Sequence, residues 1–331
     1  MFDGHSLLIT GGTGSFGRAF VATMLARHKP REIIVYSRDE QKQYEMRHAV
    51  AREGVRYVLG DVRDRERLTR ASQGVDIIVH AAALKQVPTA EHNPIEAVKT
   101  NILGAQNVIF AAIDNKAARV LALSTDKAVN PINLYGATKL VADKLFVAAN
   151  SSSEAGQTMF SVVRYGNVFT SRGSVVPYFQ KLLAEGAQKL PITDLRMTRF
   201  WITLQAGADF VLDCLGRMQG GEIFVPRIPS VRMIDVAKAI APELDIEITG
   251  IRPGEKLHET LCPKDEAHLT LRFAKHFVVR PSIAMPPGRE YQVDALGERG
   301  SAVEEGFEYT SESNEHFLTV EELRRQFVAT G

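Results

Sequence analysis

Gly11, Gly14 and Gly17 fall between an apolar run at Ser6–Thr10 and a helical pattern from about Phe16 to His28. A strand that passes into a helix through such a turn needs residues without side chains, both to bend and to let the backbone come close to a ligand. The same geometry places a pyrophosphate at the positive end of the helix, so the turn predicts a bound dinucleotide. A strand that ends in this way also opens a βαβ unit, which predicts further strands and helices in alternation. Apolar or β-branched runs recur at 32–37, 55–60, 76–81 and 119–124, and helix signals come after them, such as Asn93-Pro94 and the segment after Leu134. Strands alternating with helices pair in parallel, since the crossover helix returns the chain to the same sheet edge. The expected fold class is α/β, a doubly wound parallel sheet.

After residues 160–168 the pattern loses regularity, with Pro177, Pro191, Pro226, Pro229, Pro242 and Pro253 cutting it into short pieces. Residues 1–165 are therefore expected to form the dinucleotide-binding domain, with contributions from about 200–225. Residues 166–331 are expected mainly in a smaller lobe that binds substrate. The small-residue stretch Ser151–Gly156 reads as a loop between a helix and a strand.

Charge decides the kind of partner. Forty Lys and Arg against 39 Asp and Glu give a formal charge of +1, which supplies no field for nucleic acid or for a membrane surface. A small molecule is the expected partner. Cys214 and Cys262 have no metal-ligand or CxxC spacing and read as reduced core thiols. The N-terminus lacks the basic region and cleavage site of a signal peptide, and the most apolar run, Val75–Leu84, is too short to span a bilayer. The expected location is the cytoplasm.

The strand ends supply the cofactor site. Thr13, Ser15 and Phe16 lie on the glycine turn. At the end of the second strand, Ser37, Arg38 and Lys42 favour the 2′-phosphate of NADP, while Asp39 keeps the free 2′-hydroxyl of NAD open. Asp61 and Val62, after the third strand, are placed for the adenine edge. Ala81 and Ala82, after the fourth, are small enough for the cofactor to lie flat across the sheet.

Tyr135 and Lys139 stand four residues apart on an expected helix and so share a face. A nearby ammonium favours the phenolate, preparing Tyr135 to take a hydroxyl proton during hydride transfer. Thr125, ending the preceding strand, is placed to bond the same hydroxyl.

The glycine turn with Tyr135-x-x-x-Lys139 resembles the extended short-chain dehydrogenase/reductase superfamily, whose members act mostly on nucleotide sugars. A narrower resemblance rests on Ser124–Ala128, Asn133–Lys139, Arg164–Val168 and Arg252–Lys256. These segments are similar to the inverting UDP-N-acetylglucosamine 4,6-dehydratases, which supply 6-deoxy-4-keto sugars to pseudaminic acid and related surface glycans. The resemblance implies UDP-N-acetylglucosamine as substrate, a recycled NADP and a homo-oligomer. Oxidation at C4 acidifies the C5 hydrogen, so one base at C5 and one acid at the C6 hydroxyl suffice to expel water. Lys127 as base and Asp126 as acid fit those roles, provided that burial and neighbouring Lys139 depress the lysine pKa. The alternative for Asp126 and Lys127 is a helix cap and a surface charge. The 4-epimerases of UDP-sugars are the competing enzyme class, and a non-catalytic NADP-binding protein is the competing reading of another class.

On the substrate side, Lys85 is implied by the resemblance and Asn167 is placed for the sugar or its first phosphate. Arg172, Arg199 and Arg252 are candidates for the UDP phosphates, because guanidinium forks match phosphate oxygens. Arg199 is the first of these, and each has a structural ion pair as its alternative. The sequence from Phe169 to Arg172 departs from the family, which has smaller residues after Asn-Val, and this bears on the shape of the sugar pocket. His258 and Glu259 do not complete an H-E-x-x-H motif, so no metal is expected.

Overall fold

In the computed structural model, which describes residues 2–50, 52–152, 157–169, 173–285 and 289–330, strands and helices alternate from the first residues onward. The first unit runs β1 (Ser6–Thr10), α1 (Ser15–Arg27), β2 (Glu32–Ser37), α2 (Glu40–Ala49), β3 (Val55–Leu59), α3 (Arg65–Ala71) and β4 (Ile77–His80). Next come α4 (Val87–His92), α5 (Pro94–Ala97), a π-helical turn at Val98–Leu103, α6 (Gly104–Asp114), β5 (Arg119–Leu123), α7 (Leu134–Ser152) and β6 (Met159–Val163). Every residue of β1 and β4 is buried, as expected of parallel strands covered on both faces. Alternation sorts their side chains: Leu8, Ile34 and Ile78 join one core with Leu68, Val108 and Phe146, whereas Leu7, Ile33, Ile77 and Val79 join Phe20, Met24 and Val211 in the other.

The chain continues through β7 (Asn167–Val168), α8 (Val175–Ala184), β8 (Lys189–Ile192), β9 (Thr198–Ile202), α9 (Leu204–Arg217), β10 (Ile223–Pro226), β11 (Ser230–Arg232), α10 (Met233–Ile240) and β12 (Asp245–Ile248). It ends with β13 (Thr260–Cys262), β14 (Thr270–Arg272), β15 (His276–Val279), β16 (Ser301–Ala302), β17 (Tyr309–Thr310) and α11 (Val320–Thr330). Among the described residues the main sheet has ten strands, ordered β16-β14-β15-β10-β6-β5-β4-β1-β2-β3. From β3 to β10 the pairing is parallel, and β15, β14 and β16 add an antiparallel edge. The C-terminal half is thus shared: β10, β14, β15 and β16 extend the sheet, and α9 packs on α1. The remainder forms small sheets of β7, β9 and β11, of β8 and β12, and of β13 and β17, which sit with α8, α10 and α11 around cores such as Phe179, Leu190 and Met233.

Strand order reverses between β1 and β4, which opens the crevice where ligands bind in such sheets. Cys214 and Cys262 are buried and unpaired. Among the described residues no helix is long and apolar enough to cross a membrane, and no group of His, Cys, Asp and Glu is placed to hold a metal. Arg172, with Thr170 and Ser171, lies outside the described residues, as do 153–156 of the expected loop.

Candidate active site

A cavity of about 750 Å³ runs across the strand ends from the glycine turn to the lobe. Gly11 adopts φ +65°, and a Cβ on it would lie 2.9 Å from the Ala82 Cα, so the turn after β1 and the exit of β4 meet backbone to backbone. A Cβ on Gly17 would lie 2.3 Å from the Gly12 carbonyl oxygen, which ties α1 to the turn. Gly14 is the N-cap of α1 and has no side chain to occupy the first-turn N–H groups, leaving that positive end for an anion. The Ala81 and Ala82 N–H groups donate to Thr10 Oγ1 at 3.2 and 3.3 Å. Thr13, Ser15, Phe16, Val62 and Val168, named from sequence for the cofactor, line the same cavity.

At the end of β2, Thr13 Oγ1 donates to Ser37 Oγ at 2.9 Å. The Asp39 carboxylate caps α2 by accepting from the Lys42 N–H at 2.9 Å and also pairs with Lys42 Nζ. Arg38 is half exposed, 3.8 Å from Asp61. Asp61, expected to receive the adenine amino group, is held mainly by Arg63, whose Nη2 lies 2.7 Å away. Burial raises the Asp61 pKa, but hydrogen bonds from Arg63 outweigh it and carry the pKa below the usual value.

The turn after β5 carries the expected catalytic residues. Asp126 is fully buried and does not line the cavity; its Oδ1 accepts from Thr125 Oγ1 at 2.9 Å and from Lys127 Nζ at 3.0 Å. Thr125 and Lys127 do face the cavity, with Tyr135 and Lys139 beside them. Helix α7 can lie against this turn only because residue 136 is glycine, for a Cβ there would fall 2.0 Å from the Lys127 carbonyl oxygen.

Two expectations about charge are corrected by the geometry. A depressed pKa is expected for Lys127. Burial does act in that direction, but the carboxylates of Asp126 and Glu259, the latter 3.2 Å away, outweigh it and hold the ammonium more firmly than in an ordinary lysine. Lys139 is expected to draw Tyr135 toward its anion. Instead its Nζ donates to the Leu123 carbonyl at 2.6 Å, and burial lowers its pKa against the pull of Asp143. Burial pushes the Tyr135 hydroxyl up to about 12, opposed by Lys127 and by the hydrogen bond with Thr125.

Lys85, an exposed residue whose pKa is lowered by desolvation, lines the cavity. Asn167 Oδ1 accepts from Lys127 Nζ at 3.4 Å. Arg252 is exposed at the rim. Arg199 takes the alternative role: Nη1 donates to the carbonyls of Thr198 and Leu257, Nη2 to that of Lys256 and to Glu255, and Nε lies 3.9 Å from Glu259. Its fork is spent on the 255–259 segment rather than left for a phosphate. Trp201 is a core residue, donating Nε1 to Gln326 at 3.1 Å.

Sequence reasoning misses two residues. Asn101, turned inward by the π-helical turn, brackets Leu84 by accepting from its N–H at 2.8 Å and donating to its carbonyl at 2.9 Å, and so fixes the loop before Lys85. Glu259 is weighed from sequence only as a metal ligand. The signal available for it is its place three residues beyond Lys256, in a segment whose Gly254 carbonyl accepts from Asn133 and whose Lys256 Nζ donates to the Val129 carbonyl at 2.5 Å.

The family described as polysaccharide biosynthesis protein matches residues 7–281 of this chain. The chain belongs to that family. Over 324 residues it is 54% identical to the UDP-N-acetylglucosamine 4,6-dehydratase (inverting) of Campylobacter jejuni, covering 98% of this chain and 97% of that protein. Over 273 residues it is 44% identical to the UDP-glucose 4-epimerase of Rickettsia akari, covering 80% of each. The X-ray structure of Pen from Bacillus thuringiensis matches with a TM-score of 0.89 at 35% identity, covering 100% of this chain and 99% of that one. These matches agree with the extended short-chain dehydrogenase/reductase resemblance of the glycine turn and the Tyr135–Lys139 pair.

Proposed function

We propose that this chain is a UDP-N-acetylglucosamine 4,6-dehydratase that inverts C5, yielding UDP-2-acetamido-2,6-dideoxy-β-L-arabino-hexos-4-ulose. The observation that carries the reading is the Asp126–Lys127 pair, 3.0 Å apart and adjoining Thr125 and Tyr135. The 54% identity to the Campylobacter jejuni enzyme of that name supports it.

The glycine turn, Ser37, Arg38 and Lys42 would hold NADP, and the pairing of Asp39 with Lys42 removes the charge that would repel a 2′-phosphate. That cofactor supplies a two-electron acceptor which is reduced and reoxidised within one turnover. Tyr135, neutral at rest, takes the proton of the C4 hydroxyl as its own phenolic proton passes on to solvent in the cavity. Transfer of one proton from Lys127 Nζ to Asp126 Oδ1 then makes the lysine a neutral base and the aspartate a neutral acid. Lys127 takes the C5 proton, and the C6 oxygen leaves as water on a proton from Asp126. Because Asp126 is buried behind the cavity wall, the Thr125 hydroxyl passes that proton on. As C6 is reduced, a solvent proton reaches C5 on the face opposite Lys127, which inverts that centre and balances the proton released from the C4 hydroxyl; the pair ends as it began, charged. Arg252 and Lys85 are proposed to meet the substrate's phosphates and sugar, and the cytoplasm, a homo-oligomer and a pseudaminic acid pathway complete the reading.

Incubation with UDP-N-acetylglucosamine in heavy water, with the product read by NMR, tests this. The expected product is a 4-keto-6-deoxy sugar with deuterium at an inverted C5. A product that keeps its 6-hydroxyl with C4 inverted overturns the proposal in favour of a 4-epimerase, and absence of turnover in the presence of bound NADP favours a non-catalytic binding protein.

A further inference from the structure

We propose that Glu259 is a positioning residue of the catalytic turn, the fixed counter-charge that holds Lys127 Nζ at the cavity wall between two carboxylates. This rests on the dehydratase reading for what Lys127 does, though not for where Glu259 lies. Glu259 is 1% exposed, and a buried carboxylate is costly unless it is paired. Its Oε1 lies 3.2 Å from Lys127 Nζ and 3.9 Å from Arg199 Nε; its Oε2 lies 4.0 Å from Lys256 Nζ and has no hydrogen-bond partner among the described residues.

The backbone that carries the carboxylate is held in place. The Glu259 N–H donates to Ser311 Oγ at 2.9 Å, the Ser311 N–H donates back to the Glu259 carbonyl at 2.8 Å, and Ser311 Oγ is bonded to Thr198 Oγ1 of β9. Arg199 and Lys256 fasten the preceding residues to β9 and to Val129. Lys127 therefore meets Asp126 from its own turn, Glu259 from the 252–259 segment, Arg199 from β9, Tyr135 from α7 and Asn167 from β7, with Lys256 beyond Glu259. Of the charged groups among these, only the two carboxylates favour its charged form. Asp126 exchanges a proton with Lys127 in the proposed cycle, so it cannot serve as a constant counter-charge. Glu259 can: it returns the lysine to one place and one protonation state after each turnover.

The test compares the full-length wild type with Glu259→Gln, which keeps shape and removes charge, and Glu259→Asp, which withdraws the charge by one methylene. Brief acetylation with acetic anhydride across a pH series, read by mass spectrometry, reports the neutral fraction of Lys127 against exposed Lys264 of the same molecule. An opposite charge within about 4–6 Å shifts a pKa by about 1–3 units, so in Glu259→Gln the Lys127 rate should rise about tenfold or more at a given pH. Glu259→Asp should fall between. In the same proteins the pH dependence of solvent deuterium entry at C5 should move to lower pH. An unchanged Lys127-to-Lys264 ratio in Glu259→Gln overturns the proposal, as does a uniform loss of C5 exchange without movement along the pH axis. If Glu259→Gln does not fold, Glu259→Asp decides by the same criterion. Should the wild type make no 4-keto-6-deoxy product, the dehydratase reading fails while the labelling ratio still decides the role of Glu259.

Discussion

Gly136→Ala sets helix propensity against close packing, and the structure says which wins. Gly136 is the third residue of α7, where alanine would gain about 1 kcal/mol in an unobstructed helix. Its Cβ, however, would stand 2.0 Å from the Lys127 carbonyl oxygen and 3.1 Å from Pro131 Cβ, so helix and turn must part by about 1 Å. Overpacking costs about 1–3 kcal/mol even where side chains can give, and here the obstacle is backbone. The expected net loss is about 2 kcal/mol. At an unfolding entropy of about 2.1 cal/mol/K per residue, a chain of 331 residues loses about 1.4 °C in Tm per kcal/mol, so the melting point should drop by about 3 °C. Turnover should suffer far more, because the displaced turn carries Thr125, Asp126 and Lys127, and misplacement by about 1 Å can cost about 100-fold. Gly207→Ala is the control. It also sits in a helix, with only Ile202 Cδ1 at 4.0 Å from its Cβ, and should raise stability by about 0.5–1 kcal/mol and leave turnover intact. Scanning calorimetry and product NMR on both variants check this. A Gly136→Ala protein with wild-type turnover, or one that melts higher as Gly207→Ala should, would refute the argument.

Thr125→Val should abolish water loss whereas Thr125→Ser retains it, as seen by NMR of the product; equal activity in the two would remove the hydroxyl from the proton path. Arg38→Ala should weaken NADP by at least about tenfold and leave NAD little changed in calorimetric titrations, and equal losses for both would place Arg38 elsewhere. Burial depresses His80 to about 3 and His276 to about 4. An unfolded histidine binds its proton near 6.5, so the unfolded chain takes up protons that the folded one refuses, and stability present above that pH is lost as pH falls toward 4. Each group contributes a slope of about 1.4 kcal/mol per pH unit. Urea midpoints at pH 7, 6 and 5 should show that slope reduced in His276→Gln, and an unchanged slope would mean that His276 is protonated in the folded state.

The first half of the fold is legible because its signals are local. A parallel strand buried on both faces is a short apolar run whatever it packs against, and the glycines at 14 and 17 are demanded by backbone contacts within the turn itself, Gly11 by the neighbouring exit of β4. The antiparallel edge is not legible, since β14, β15 and β16 are two to four residues long and owe their strand conformation to β10, far earlier in the chain. The lining of the cavity comes from strand ends: once the sheet order is known, Ser37, Asp61 and Ala82 must lie along one crevice. Residue types point to Lys127 and Tyr135, but not to their charge states, which depend on distances across elements.

Arg199 and Glu259 show why such distances escape sequence. An arginine on a buried strand reads equally well as a phosphate clamp or as an ion-pair partner, and only the positions of the Thr198, Lys256 and Leu257 carbonyls decide that its fork is already spent. Once spent, it fixes the 255–259 segment, and that segment delivers a buried carboxylate to Lys127 from far along the chain. Burial alone would lower the lysine's pKa. The two carboxylates together reverse that shift, so in the proposed mechanism the base is armed by a proton transfer within the site rather than by a standing low pKa. Mutations that loosen the 255–259 segment, such as Arg199→Met, should therefore alter the pH dependence of C5 deprotonation before they alter C4 oxidation. Parallel pH profiles of deuterium entry at C5 and of nicotinamide reduction would separate the two steps, and movement of both together would show that Arg199 acts on the whole site rather than through Lys127.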